Sequence, residues 1–448
     1  MRDLAFVAFL LALMGIGLRR PFVFVLAYVY VDIVSPQRLT YLLLNSVPIS
    51  LIFAGLALAS WLIVDDKRDS RFAPRQALLL ILLIYCGITT TQADFPLEAA
   101  EKWSWVWKAL AFAIFLPLTL RTRLRIESLI LFMILSAASI VIVGGIKTLA
   151  SGGGYGALNL MVDNNSGLYE GSIISTVAIC IVPLILWLAK YGTIYPREWR
   201  VKTFAYALIF ACLLIPVGTE ARTGLICIGV LGLLLLRDAK RRVLYLSLAG
   251  AAALVALPLL PSAFTTRMDT IKGYQADTSA STRIAVWQWT LGYVKDHPFG
   301  GGFDAYRQNE LRIEKKRVAA EGDQAQVVDS VEYDKARAYH SAYFEMLGEQ
   351  GWPGLVLWLI IHGVGLFRME RLRSIYRKRE PWIGDLASAL QQAHLIYLIG
   401  SLFVGIAFQP FVYMLVGVQI GLDTYAARRT REAAWRPLFR NEGNPAAV

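Results

Sequence analysis

The sequence predicts an all-α polytopic membrane protein. Three observations carry that prediction. Of 448 residues, 56% are hydrophobic, and the mean hydropathy is +0.50. Many apolar runs approach the ~20 residues that a helix needs to cross a hydrocarbon core. Lysines and arginines gather in short loops that alternate with poorly charged or acidic ones such as T-Q-A-D-F-P-L-E-A-A-E. That is the positive-inside pattern of spanning helices. The net charge of +12 therefore records topology, and no nucleic-acid partner is expected.

The apolar runs lie near 4–18, 21–34, 47–64, 77–92, 103–120, 127–149, 172–188, 203–218, 224–236, 243–261, 352–367, 386–408 and 410–422. Twelve spans are expected, with thirteen the alternative. The first two runs are short, and each is either a full crossing or part of a broken hairpin. Leu4–Leu18 is followed by Arg19-Arg20-Pro21 rather than by small residues, which argues against a removed signal peptide. Trp103, Trp105 and Trp107 read as an interfacial aromatic belt. Cys86, Cys180, Cys212 and Cys227 all fall in apolar runs without ligand or disulfide spacing, so they read as packing residues.

Basic loops follow the runs in order: Lys67/Arg68/Arg71/Arg75, Arg121/Arg123/Arg125, Lys190/Arg197/Arg200/Lys202, Arg237/Lys240/Arg241/Arg242, and Arg368 to Arg379. All fall on one side if every run from 77 onward crosses once. The expected organisation is a first part of the bundle (1–261), a periplasmic loop (262–339), a last part of the bundle (340–422) and a basic cytoplasmic tail (423–448). Loop 262–339 carries eleven bases and eleven acids, so it reads as a folded, solvated subdomain. Ile284, Trp287, Leu291 and Val294 recur at helical spacing. They predict an amphipathic helix that begins at Ser281-Thr282 and is ended by H-P-F-G-G-G at 297–302. A second helix is expected near Phe303–Arg317.

The loops carry little familiar chemistry. There is no G-x-x-x-x-G-K-[ST], D-x-D, H-E-x-x-H or G-x-S-x-G, so no nucleotide or metal cofactor is expected. Glu98 and Glu101 sit at i and i+3, as a divalent-ion pair or a solvated helix start would. Arg222 lies in the tight turn T-E-A-R-T-G between two apolar runs. An arginine there is costly unless paired. It can pair with Glu220, snorkel to headgroups, or join the next helix N-terminus in holding an anion. Arg283 repeats the arrangement after Ser281-Thr282, and guanidinium grips phosphate at two points. His340, at the threshold A-Y-H-S-A-Y-F-E-M-L-G-E-Q-G-W-P-G-L, can take a proton from a hydroxyl near neutral pH. Alone it would better suit an interfacial histidine bonded to a carbonyl. His297 precedes a proline in a turn, while His362 and His394 sit within apolar runs.

Taken in order, E-A-R-T-G, then S-T-R-I-A-V-W and D-H-P-F-G-G-G-F, then Y-H-S-A-Y-F-E-M-L-G-E-Q-G-W-P-G-L resemble the O-antigen ligase and polymerase superfamily. The N-terminal M-R-D-L…L-R-R-P-F…S-P-Q-R-L-T is similar to a subgroup of exosortase A-associated O-glycosylation ligases. The resemblance implies an inverting, metal-independent glycosyltransferase of GT-C type in the bacterial inner membrane. It implies a donor glycan on undecaprenyl pyrophosphate and an acceptor that is a glycan, lipid A core or protein. By the same resemblance Arg222 and Arg283 contact the donor pyrophosphate, and His340 activates the acceptor hydroxyl at the periplasmic face. A polymerase of the same superfamily is the nearest alternative. A lipid or solute transporter is the more distant one, since transporters favour charges at mid-membrane.

Overall fold

A computed structural model describes residues 2–67, 70–151, 167–237, 241–244, 247, 250–251, 278–321 and 324–434. The chain is an all-α bundle, and its one sheet among these residues is a two-stranded hairpin. Among the described residues, five helices are long and apolar enough to cross a membrane: α5 (Pro74–Thr91), α7 (Arg123–Ser151), α8 (Gly171–Tyr191), α9 (Trp199–Gly218) and α12 (Ala342–Tyr376). Three more are apolar but shorter: α2 (Phe22–Val34), α4 (Ile49–Ile63) and α10 (Arg222–Leu236). α6 (Pro96–Thr119), α13 (Pro381–Gly400) and α14 (Pro410–Ala434) complete the packed core. α8 and the Phe411–Leu422 part of α14 are buried almost all round, as helices at the centre of a bundle must be. All four cysteines are buried thiols in this packing.

The first two apolar runs form an antiparallel hairpin of α1 (Arg2–Arg19) and α2. Arg20-Pro21 turns the chain, and the Phe24 ring lies where a Cβ on Gly17 would stand. Further along, Phe9 meets Tyr30 edge-on at 4.8 Å. Left-handed Ser35 then ends α2, before the single turn α3 (Pro36–Leu39).

The basic loops meet at one end of the bundle. Arg125 grips Asp65 at 2.6 and 2.8 Å, and Arg368 grips Asp423 at 2.7 and 2.9 Å. Arg123 donates to the Tyr191 carbonyl, Lys190 pairs with Asp385, and Arg428 donates to the Arg121 carbonyl. The opposite end carries the α5–α6, α9–α10 and α13–α14 connections together with the described part of the long loop.

That loop departs from expectation in three places. Its helix, α11 (Thr278–Asp296), starts a turn before Ser281, so Arg283 lies in the second turn rather than the first. Its packed face is Val286, Thr290, Tyr293 and Val294; Ile284 and Leu291 point outward. Trp287 explains the rotation. It stacks on Phe344 of α12 at 4.9 Å and donates to the Tyr339 carbonyl at 2.9 Å, and this fixes which stripe faces inward.

The expected second helix is instead a short 3-10 turn, Ala305–Gln308, followed by β1 (Glu310–Glu321) and β2 (Gln324–Lys335). Glu321 pairs with Gln324, which leaves Gly322-Asp323 as the two connecting residues, a hairpin sequence. Buried Asn309 staples the base. Its side chain accepts from the Arg337 amide and donates to the Arg337 carbonyl. The run 386–408 is also not one helix: α13 stops at Gly400, and 401–409 is irregular. Most of the run at 243–261, and most of S-G-G-G-Y-G and D-N-N-S-G, lie outside the described residues.

Candidate functional site

α12 is broken near its start. Gly351 has φ +63°, open to glycine and strained for other residues, and Pro353 follows. The break separates a half-helix, 342–350, from the long span. The glycine loop threads into the gap. Gly301 donates to the Gly348 carbonyl at 3.0 Å, Gly302 to the Glu349 carbonyl at 2.9 Å, and Trp352 to the Pro298 carbonyl at 3.0 Å. Those contacts satisfy backbone groups that the broken helix leaves open. A Cβ at Gly300 would stand 2.5 Å from the Glu349 oxygen and the Gly351 nitrogen, so the backbones can meet only without side chains. On its other side the loop is tied to the α5–α6 turn, with Asp94 N donating to the Gly301 carbonyl at 2.9 Å.

This threading carries Asp304 to the floor of a cavity of about 510 Å³, with Phe303 buried beneath it. Lys102 of α6 sits there, 2.7 Å from both Glu345 and Glu349 and 3.9 Å from Asp304. The carboxylates hold further backbone. Glu345 accepts from Ala407 N at 2.9 Å, and Glu349 from Asp304 N at 3.0 Å. Phe303 and Phe408 place their rings 5.6 and 5.8 Å from the ammonium. Burial raises the Asp304 pKa, opposed by Lys102 and Arg307.

His340 enters the cavity from the side. Its neighbours Tyr339 and Ser341 are buried, at 2% and 1% exposure, while His340 itself is open. Tyr339 packs where Gly348 leaves room and meets Tyr306 edge-on; the amide of Ala342 is held by the Ser401 carbonyl at 2.8 Å. Left-handed backbone at His340, φ +48°, turns the imidazole out of this clamp. Such a conformation is uncommon outside glycine, though histidine is among the residues that adopt it. Its surroundings, then the Arg283 guanidinium, hold the His340 pKa below the usual value, with Glu170 opposing. That direction favours the neutral imidazole, the form that can accept a proton.

Arg283 and His340 line this cavity together, with Glu98, Glu101, Glu170, Ser172 and Arg307 around them. Glu98 lies 3.5 Å from Arg307, and no group of three or more His, Cys, Asp or Glu side chains that could hold a metal ion occurs among the described residues. Arg222 does not line the cavity; it opens α10, as the sequence led us to expect. The turn before it packs on the start of α8. Thr219 lies 3.3 Å from a Cβ position on Gly171, and its hydroxyl meets Ser175 at 2.8 Å. Gly171, which meets this turn, stands in the chain between the cavity-lining residues Glu170 and Ser172.

Residues 205–359 match the O-antigen ligase family. Residues 1–193 match a family of unknown function, DUF5935, and no curated protein matches the chain. The O-antigen ligase region contains Arg222, Arg283, His340, Glu345 and Glu349. Glu98, Glu101, Lys102, Glu170 and Ser172 come from the segment of unknown function. The cavity therefore straddles both. The apolar helices and this match together support a membrane protein similar to glycan-transferring ligases and polymerases.

Sequence reading missed the Lys102–Asp304–Glu345–Glu349 cluster. Glu345 and Glu349 carried a signal, since i and i+4 carboxylates share a helix face. Their partner is more than 240 residues away in the chain.

Proposed function

We propose that this chain transfers a glycan from undecaprenyl pyrophosphate to an acceptor hydroxyl at the periplasmic face. The observation that carries the reading is His340, presented neutral from a clamped backbone into a cavity it shares with Arg283. Neutral imidazole takes the acceptor proton. The acceptor oxygen bonds to the anomeric carbon as the bond to the pyrophosphate oxygen breaks, with inversion. The electron pair leaves on the lipid pyrophosphate, where Arg283, and Arg222 at the start of α10, offset its charge. The leaving group is activated already, so neither ATP nor metal enters the scheme. The acceptor would be a glycan, lipid A core or protein.

Purified protein should transfer a lipid-linked glycan in vitro with EDTA present. One complete glycan moved to lipid A core or protein marks a ligase, and a lengthened lipid-linked glycan marks a polymerase. Transfer that requires added magnesium or manganese overturns the metal-free scheme. The sidedness follows from the basic loops. Ala320→Cys should be labelled by an impermeant thiol reagent before the inner membrane is opened; labelling only afterwards reverses the topology.

A further inference from the structure

At the basic end, far from the His340 cavity, α7, α8 and α9 enclose a second cavity of about 390 Å³. Its walls are aliphatic and aromatic: Leu131, Ile134 and Leu135 from α7, Ile185 and Leu188 from α8, Phe204 and Leu208 from α9. The spacing on α7 is i, i+3, i+4, one continuous helix stripe. Its size is that of a small-molecule site rather than a packing defect.

The mouth has the opposite character. It is formed by the connection Ile194–Pro196 and by Arg197, Arg200 and Lys202, against the single acid Glu198. The three cations are exposed, and none makes an ion pair among the described residues. This differs from neighbouring Lys190, which is held by Asp385 at 2.8 Å. Tyr195 and Trp199 flank the mouth, 53% and 72% exposed, and Arg200 lies 5.8 Å from the Trp199 ring. Exposed Tyr and Trp beside Arg and Lys mark the headgroup level of a bilayer. The cavity thus joins an apolar slot at acyl-chain depth to a net positive rim at phosphate depth.

We propose that this is a binding site for an anionic phospholipid, with one acyl chain in the α7–α8–α9 slot and its phosphate at Arg197, Arg200 and Lys202. A zwitterionic lipid would fill the slot but would add little net attraction at the rim. Free phosphate would meet the rim but gain nothing from the slot. Each basic residue near a headgroup contributes on the order of 1 kcal/mol toward an anionic surface, or roughly five-fold in affinity. Losing the three cations should then weaken binding about 100-fold.

The test uses the full-length protein in a neutral detergent, with thermal unfolding and native mass spectrometry read together. Phosphatidylglycerol should raise the melting temperature and remain bound, at micromolar amounts where phosphatidylcholine of the same chains does not. Inorganic phosphate should do neither. In the triple variant Arg197→Glu, Arg200→Glu, Lys202→Glu, the preference for phosphatidylglycerol should vanish. These surface positions make no ion pair to lose, so the variant should fold. Leu135→Trp, which narrows the slot, should reduce retention of both lipids. Equal binding of both lipids by the native protein overturns the proposal. So does an unchanged preference in the triple variant, stabilisation by phosphate alone, or a lipid-free dimer that the triple variant abolishes.

Discussion

At the basic end, Arg125 grips Asp65 and Arg368 grips Asp423, each one guanidinium to one carboxylate. At the other end a single ammonium, Lys102, serves Glu345, Glu349 and Asp304 together. The first arrangement suits helix ends in water, where a pair holds loops in place and contributes little to stability. The second is buried, with Glu349 fully enclosed, and charges kept out of water are expensive to hold. The difference teaches how the molecule uses charge at its two ends. Paired charge fixes topology. Crowded charge shapes a cavity around an open histidine and an arginine.

The sharpest way to break the comparison is at His340. His340→Ala should lower transfer by ~10²–10⁴-fold while donor binding stays near normal, as expected for a lost general base. A variant that folds yet neither binds donor nor transfers would move the histidine onto the pyrophosphate. Next come the arginines. Arg283→Lys and Arg222→Lys should weaken binding of undecaprenyl pyrophosphate about 10- to 100-fold, along with turnover, because lysine cannot make the planar two-point grip. Equal binding by an Arg222 variant would leave that residue a purely local role at the α9–α10 turn.

Lys102→Met compares the two ends directly. It strands three carboxylates at the cavity floor and should cost about 3–5 kcal/mol of stability. Arg125→Met, which breaks a part-exposed pair at the basic end, should cost about 1 kcal/mol or less. Equal losses in thermal unfolding would erase the distinction between the ends. The smallest effect is in pH. Partial shielding from water inside the cavity, and then Arg283, lower the His340 pKa, so the folded protein binds fewer protons than the unfolded chain below pH ~6.5. This site's contribution therefore rises with pH between the lowered value and 6.5, and is lost as pH falls. The transfer rate should follow the neutral imidazole and climb through the same window. An acid limb unchanged in His340→Gln would assign it to another group.

Much of the bundle was legible because a bilayer enforces long apolar helices and sorts basic loops to one side. His340 and Arg283 were legible as separate pieces, and the cavity joins them. The cluster beneath was not, because charged residues near a span read as solvated until a partner is known, and Lys102 finds its partners through the fold. The α11 face was misread for a related reason. Ile284 and Leu291 fit the period, yet the Trp287–Phe344 stack sets the rotation. The hairpin was hidden by a strongly charged stretch, where Gly322-Asp323 was the readable sign.

The interrupted backbone at Gly351 also has a bearing on modularity. Because the glycine loop donates to one side of the break and accepts from the other, the long loop and α12 are joined by main-chain bonds instead of a tether. Side chains drift readily between relatives, but a main-chain seam of this kind constrains both partners at once. Exchange of residues 262–339 with a relative's loop would have to preserve the geometry of Pro298 to Gly302 against Gly348 to Trp352. Within such limits the described strands β1 and β2, which make no part of the seam, are the portion left open to change.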